Sequence, residues 1–403
     1  MNQTKITPLA QKRLLPIPYL TALAHFAIEF SFNALPILYP LLIVSMGLSY
    51  QQVGAIALVV TLGATITQPV FGYLSDRLGR RAFMVFSVAW VGILLGLTGF
   101  IQSYWLVLLV VGLGALGSAA FHPAGIAVAT GSDPEHRGAA ASIFSVSGSL
   151  GTIFSPLLFG LGIARFGARM SIILIPITLL VTIFLYSQYR SIDEANRSTP
   201  AATKPVETQS DNNKSLWLLV LVIIIVAARS WVHGSIITYL PEWLLNSGLT
   251  TEITGIYISI LMVMIGLGSL VGGILSDRLG RAPVAAVSFL FIGPAFWLFL
   301  NQADVFQPIL IGLVGFALGI SFPITIVMAQ EAWPQGAGLA SALVMGIGWL
   351  PYGIGSWTIG RIADLTTLTN ALNTLIYIPL ISLVATAIIG LPAIRLESRQ
   401  KLK

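Results

Sequence analysis

An all-α integral membrane fold, with twelve transmembrane helices in two pseudo-symmetric six-helix bundles, is predicted by three features of this sequence. Only 9% of its 403 residues are charged while 56% are hydrophobic, and the mean hydropathy is +0.88. The charges are separated by gaps long enough to cross a bilayer, and one seven-residue segment recurs at the same place in each half. A soluble domain carries roughly 25% charged residues, and 21 basic and 15 acidic side chains cannot cover the surface of a chain this long. High apolar content excludes disorder, the lack of a Gly-X-Y period excludes collagen, and the absence of cysteine excludes a disulfide scaffold.

The spans follow in order from the charge gaps. No Asp, Glu, Lys or Arg lies in the 46 residues between Glu29 and Asp76, nor in the 51 between Arg81 and Asp133. A helix needs about 20 apolar residues to cross a hydrocarbon core of roughly 30 Å, so each gap holds two spans, with turns at 47–52 and 102–104. Residues 138–164, 170–189, 215–241, 253–276, 282–303, 305–330, 332–360 and 365–394 give one span each. These runs are too continuous for barrel strands, which alternate over about 10 residues. Lys5, Lys12 and Arg13 precede a long first span that holds His25 and Glu29 and lacks a small-residue cleavage site. It therefore reads as a helix of the mature chain.

With the N-terminus cytoplasmic, 17 of the 21 basic residues fall inside, Arg165, Arg169 and Arg361 fall outside, and Arg229 lies within a span. This positive-inside asymmetry predicts that both termini are cytoplasmic. Attraction to anionic lipid headgroups accounts for the net charge of +6, and no nucleic-acid partner is needed.

The polar stretch 189–214, rich in Ser, Thr, Pro and Asn, reads as a flexible cytoplasmic linker between an N-terminal bundle, 1–188, and a C-terminal bundle, 215–403. The two bundles are related in sequence. Leu74-Ser75-Asp76-Arg77-Leu78-Gly79-Arg80 recurs as Leu275-Ser276-Asp277-Arg278-Leu279-Gly280-Arg281, and the same offset of 201 pairs Gly72 with Gly273, Gly54 with Gly255 and Pro40 with Pro241. Both copies follow the second span of their half. Such duplication is a mark of transporter folds.

Twelve spans in two halves, with Gly72-Tyr-Leu-Ser-Asp76-Arg77-Leu-Gly79-Arg80-Arg81 after the second span, resemble the major facilitator superfamily and its cytoplasmic loop motif over essentially the whole chain. The resemblance implies that Asp76, Arg77, Arg80, Asp277, Arg278 and Arg281 are gate and latch residues whose charge contacts are remade as the halves rock. Purely topogenic charge is the other reading, but orientation does not require the two aspartates. Span five carries Gly148-Ser-Leu-Gly151-Thr-Ile-Phe-Ser155-Pro156-Leu-Leu-Phe159-Gly160. It resembles the superfamily's antiporter motif, Gly-x-x-x-Gly-Pro-x-x-Gly-Gly, with Ser155 and Phe159 replacing two glycines. Gly148, Gly151 and Gly160 permit close helix approach and Pro156 is expected to bend the helix, so packing alone is the competing reading.

An ionisable group at membrane depth is a functional candidate by default. His25, Glu29 and Asn33 share one face of span one, and Arg229 and His233 lie four apart in the equivalent span seven. At 1.5 Å per residue, Glu29 is about 18 Å and Arg229 about 20 Å from the start of its span, near the midplane, where alternating-access carriers bind substrate and coupling ion. Glu29, with His25, is read as the proton carrier, and Arg229 and His233 as groups that orient an anionic substrate. A static Glu29–Arg229 ion pair is the alternative. His122, before Pro123 in span four and nearer the cytoplasmic side, either lines the cavity as a substrate contact or bonds the backbone carbonyl freed by the expected proline kink. Glu331 closes span ten as a gate or a plain interfacial acid. Asn33 completes the substrate-contact set.

Ala24-His25-Phe26-Ala27-Ile28-Glu29, Phe121-His122-Pro123, Ser142-Ile143-Phe144 with Gly148 and Gly151, Arg229-Ser230 and Ala329-Gln330-Glu331 resemble the fosmidomycin-resistance branch, whose members are inner-membrane efflux carriers. That branch commonly has aspartate where this chain has Glu29, and can have lysine in place of Arg229. The resemblance implies a monomeric bacterial inner-membrane antiporter exchanging protons for a small drug-like or anionic compound such as a phosphonate. A proton-coupled uptake symporter is the runner-up, and a receptor or scaffold without transport is disfavoured by the midplane charges.

Enzyme readings lack their residues. Gly112, Gly114 and Gly117 match a dinucleotide fingerprint but lie inside an apolar span, and there is no phosphate-binding loop, His-Glu-x-x-His or Gly-x-Ser-x-Gly. No metal-ligand cluster is visible along the chain, and no cofactor is expected beyond the proton gradient. Trp105, Trp243 and Trp357 read as interface anchors or packing.

Overall fold

The computed structural model describes residues 16–132, 135–188, 213–302 and 305–391, and among them every regular element is helical. The first half contains α1 (Ile17–Phe32), α2 (Leu35–Met46), α3 (Tyr50–Ile66), α4 (Gln68–Leu78), α5 (Arg80–Leu97), α6 (Tyr104–Gly131), α7 (Arg137–Phe166) and α8 (Leu174–Ser187). The second contains α9 (Asn213–Asn246), α10 (Thr251–Leu279), α11 (Arg281–Asn301), α12 (Gln307–Ala332), α13 (Ala337–Met345), α14 (Leu350–Leu365), α15 (Leu368–Thr374) and α16 (Pro379–Gly390). Ten stretches are long and apolar enough to cross a membrane, eleven with the bent pair α3–α4, and one, Arg137–Ser187, is 51 residues long. A 3-10 segment at Gly167–Ile173 divides that stretch into two passes, which gives twelve. Of the expected linker, 189–212 lies outside the described residues, as do both chain ends.

Local chemistry sets the ends. Gly47, at φ +62°, closes α2, and Ser49 with Gln52 forms a reciprocal capping box at the start of α3. The paired glycines of the repeat, Gly79 at φ +110° and Gly280 at φ +94°, turn the chain between α4 and α5 and between α10 and α11. A side chain there would strain the backbone.

The breaks in the spans do not fall at the prolines singled out above. Helices α6 and α7 run through Pro123 and Pro156 without interruption, whereas span one breaks at Asn33–Ala34, span two at Thr67 with a 44° bend, and span eleven at Gly346. Each break lies a few residues before a proline, Pro36, Pro69 or Pro351, where a carbonyl loses its i+4 donor. At the first break the Asn33 amide donates to the Glu29 carbonyl at 2.8 Å, and at the second the Thr67 hydroxyl donates to Gly63 at 2.5 Å. Span seven also outruns its expected end, continuing through Pro241 to Asn246.

The halves meet through α3 against α14 and α7 against α10, with α9 against α2. These seams are symmetric: Gly54 faces the backbone of Ser356 and Trp357, and its repeat mate Gly255 faces Pro156 and Gly160. A Cβ on Gly54 would lie 2.6 Å from the Trp357 Cα. The Asp364 carboxylate accepts from the backbone N–H groups of Tyr50 at 2.8 Å and Gln51 at 2.9 Å, capping α3 from the other half. The buried Tyr239 hydroxyl lies 2.8 Å from the Tyr50 carbonyl and 2.7 Å from that of Ser356, sharing one proton between the halves. All these ties sit toward the end that carries the 47–49 and 366–367 turns. At the opposite end, which carries the repeated loop motif, α4 packs on α5 and α6 and α12 on α10, α11 and α13, each within its own half.

Candidate transport site

A cavity of about 520 Å³ lies between the halves, with Glu29, Asn33, His122 and Thr152 on one wall and His233, Trp349 and Tyr352 on the other. Its volume lies within the range of small-molecule sites, about 300–1,000 Å³.

Span one presents Glu29, and three neighbours hold it. Its Oε1 lies 3.2 Å from Nε2 of His122 and 3.7 Å from Nε2 of His25. The Asn33 amide faces the other oxygen at 3.4 Å and reaches Thr152 at 3.3 Å. His25 is buried, stacked on Phe144 at 4.0 Å between ring centroids, and its Nδ1 donates to the Phe144 carbonyl at 2.8 Å. His122 Nδ1 donates in the same way to the Ser118 carbonyl at 2.9 Å. A carbonyl can only accept, so both Nδ1 atoms carry a hydrogen; Nε2 then presents a lone pair to the carboxylate when the ring is neutral and donates to it when the ring is protonated. With both rings neutral, three electron-pair donors converge on one point, an arrangement that favours a proton or another cation there. His122 lines the cavity, and the carbonyl its ring bonds is that of Ser118, not the Ala119 carbonyl that Pro123 leaves without an N–H partner. Although His122 was read as nearer the loop-motif face, its ring reaches the Glu29 carboxylate.

Arg229 does not occupy the place expected for it. It is 3% exposed and absent from the cavity wall, with its guanidinium carbon 3.9 Å over the Phe322 ring and Nη1 donating to Thr325 at 3.2 Å. The static pair with Glu29 is not formed, because Glu29 faces the two histidines. His233 does reach the cavity, boxed by Phe322, Trp349 and Tyr352 with ring centroids 5.6 to 5.8 Å away, and neither ring nitrogen has a hydrogen-bond partner among the described residues.

The span-five motif positions this site. Gly148 lies against the His25 ring, Gly151 against the backbone of Phe26 and Phe30, and Gly160 against Gly255 across the seam. The two departures from the glycine pattern are accommodated: the Ser155 hydroxyl donates to the Phe30 carbonyl at 2.5 Å, and Phe159 is fully buried 5.9 Å from the Phe30 ring.

The ion pairs of Asp76 with Arg80 and of Asp277 with Arg281 each lie within one half. Arg80 pairs with Asp76 at 2.6 Å, and Arg77, exposed, lies over the Tyr73 ring at 4.4 Å. Arg281 pairs with Asp277 at 2.5 Å and with Glu331 at 3.1 Å, while Arg278 is exposed. Glu331 is thus tied to the loop between α10 and α11.

No metal-ligand cluster was visible along the chain, yet the fold brings His25, Glu29 and His122 together as a potential one, their ligand atoms all within 4.8 Å of one another. Ninety-odd residues separate Glu29 from His122, so no linear motif could show it. The aromatic box around His233 was missed too, since its rings come from three helical segments. Of the tryptophans, Trp105 is 76% exposed, as an anchor would be, and Trp243 is buried and bonded to Thr369.

A family model described as Major Facilitator Superfamily matches residues 21–356. The chain is 28% identical over 372 residues to the fosmidomycin resistance protein of Escherichia coli strain K12, covering 90% of each. It is 25% identical over 323 residues to the multidrug resistance protein MdtG of Escherichia coli strain 55989, covering 78% of this chain and 77% of that protein. Among solved structures, the fold is similar to a bacterial homologue of the human lysosomal transporter Spinster, with a TM-score of 0.78 at 15% identity over 93% of this chain and 96% of that one.

Proposed function

This chain belongs to the Major Facilitator Superfamily and is a multi-pass membrane transporter with relatives named for drug resistance, and on that premise we propose that it is a proton-coupled exporter of a small drug-like compound. The observation that carries the reading is the Glu29 cluster, in which Oε1 of Glu29 faces Nε2 of both His122 and His25, with Glu29 and His122 on the wall of a cavity shared by both halves. A proton arriving there gives an imidazolium–carboxylate pair at His122 and Glu29. Its departure leaves a bare carboxylate that draws in a substrate's polar or cationic group. Alternating occupancy of this kind couples the proton to the substrate.

The cavity also bears on substrate class. Among the described residues its wall has one carboxylate, no Lys or Arg, and a neighbouring aromatic box. A compact body with apolar or aromatic surface fits best. An anionic group, phosphonate included, would meet His233 first, with Arg229 one layer behind it. Supporting a monomeric unit, both walls come from a single chain. The relatives and the basic-residue asymmetry support a bacterial inner membrane with both termini inside.

The test is transport in proteoliposomes with a pH gradient imposed in either direction, for the native chain and Glu29→Gln. Coupling free energies run about 1–3 kcal/mol, or 5- to 150-fold. Substrate affinity should fall by that order as pH falls, and this dependence should vanish in Glu29→Gln. Undiminished gradient-driven export by Glu29→Gln would falsify the proton role, and accumulation along an inward proton gradient would make the protein a symporter.

A further inference from the structure

The Glu29 cluster has a second property that proton carriage does not require. Each imidazole is held by its Nδ1–H on a backbone carbonyl, His25 on Phe144 at 2.8 Å and His122 on Ser118 at 2.9 Å. That is the outer-shell arrangement that aims Nε2 of a histidine at a metal ion and raises its basicity. The carboxylate is oriented as well, by the Asn33 amide at 3.4 Å.

The spacing fits. With metal–nitrogen and metal–oxygen bonds of about 2.0–2.2 Å, the edge of a tetrahedral site is about 3.4 Å. The Glu29 Oε1 to His122 Nε2 and His25 Nε2 distances, 3.2 and 3.7 Å, lie on either side of it. The remaining pair of ligand atoms is within 4.8 Å. Glu29 and His122 face the cavity, leaving a fourth position for water. A proton relieves only one of the two lone-pair contacts at Glu29, whereas a divalent cation relieves both.

We propose that His25, Glu29 and His122 bind a zinc-class divalent cation in the first half of the transporter. Two imidazole nitrogens and one carboxylate oxygen suit Zn²⁺ or Co²⁺, while Mg²⁺ and Ca²⁺ take oxygen ligands. The inference rests on the cluster's geometry and not on proton coupling. Failure to bind metal would leave that coupling standing, and loss of coupling would leave metal binding standing.

The probe is Co²⁺, titrated into the purified full-length chain in detergent after removal of any histidine tag. The chain has four histidines and no cysteine, so competing sites are few. Expected are the intense visible bands of four-coordinate cobalt, saturating at about one equivalent and displaced by Zn²⁺. His122→Ala and the near-isosteric Glu29→Gln should each weaken binding by at least the ~10–100-fold that outer-shell losses cost, while His136→Ala keeps the native affinity. An unchanged melting transition without metal confirms that the variants are folded. Absence of the bands, a weak six-coordinate spectrum, or native affinity in folded His122→Ala or Glu29→Gln overturns the assignment.

Discussion

Gly148→Ala tests whether span five sets the position of the coupling cluster. A Cβ at this position would lie 2.7 Å from Nε2 and 2.8 Å from Nδ1 of His25. Carbon contacts are comfortable at about 3.5–4.0 Å, so the ring must retreat by about 0.8 Å or more. Retreat is blocked, since the ring is stacked 4.0 Å from Phe144 and lies 5.8 Å from Phe121, both buried. The imidazole must turn off its bond to the Phe144 carbonyl or push the helices apart. Overpacking of this kind costs about 1–3 kcal/mol, and the lost hydrogen bond about 0.5–1.5 kcal/mol more. The assay is a double-mutant cycle with His25→Ala, read by equilibrium unfolding in mixed micelles beside gradient-driven transport. Once the ring is gone, most of the cost of Gly148→Ala should go with it, leaving an interaction energy of about 1–3 kcal/mol. Additive costs within about 0.5 kcal/mol would refute the steric account, as would full transport by the Gly148→Ala variant.

Two further outcomes follow from the seam and the loop motif. Tyr239→Phe removes the hydroxyl placed between the carbonyls of Tyr50 and Ser356. It should destabilise the tie between the halves by about 1–3 kcal/mol and raise the accessibility of single cysteines introduced beside Gly54, a clean readout because the native chain has none. Unchanged accessibility would remove Tyr239 from the closure. Glu331→Gln breaks a half-exposed pair with Arg281 and should alter stability by less than about 1 kcal/mol. Arg281→Ala loses Asp277, Glu331 and Ser276 together and should lower the transport rate more than stability; equal effects of the two variants on transport would contradict the latch reading.

Much of the architecture was legible without coordinates because it depends on short-range rules. Hydrocarbon thickness fixes span length, and charges are expelled to the ends. The gaps around Glu29, Asp76, Arg81 and Asp133 therefore mark helices that end within a few residues of the expected positions. The offset of 201 placed Gly54 and Gly255 as mates, and each does face the opposite half. Breaks were less legible. Pro36, Pro69 and Pro351 precede no feature that distinguishes them in sequence from Pro123 and Pro156, and neighbouring helices decide which free carbonyl is tolerated within a continuous helix.

For the site, sequence determined the inventory: one acid and two histidines in the first half, one arginine and one histidine in the second, all at membrane depth. Only the tertiary structure decided the partnerships. Helical spacing placed Arg229 beside His233, yet packing put Arg229 behind the wall against Phe322 and Thr325 and left His233 at the cavity. Spacing likewise paired His25 with Glu29, but His122 arrives from another helix, and carbonyls of Ser118 and Phe144 fix the tautomers. The physical reason is range. Hydropathy and helical period act over one or two turns, whereas the meeting of Glu29 with His122, and of Gly148 with His25, depends on how three helices pack.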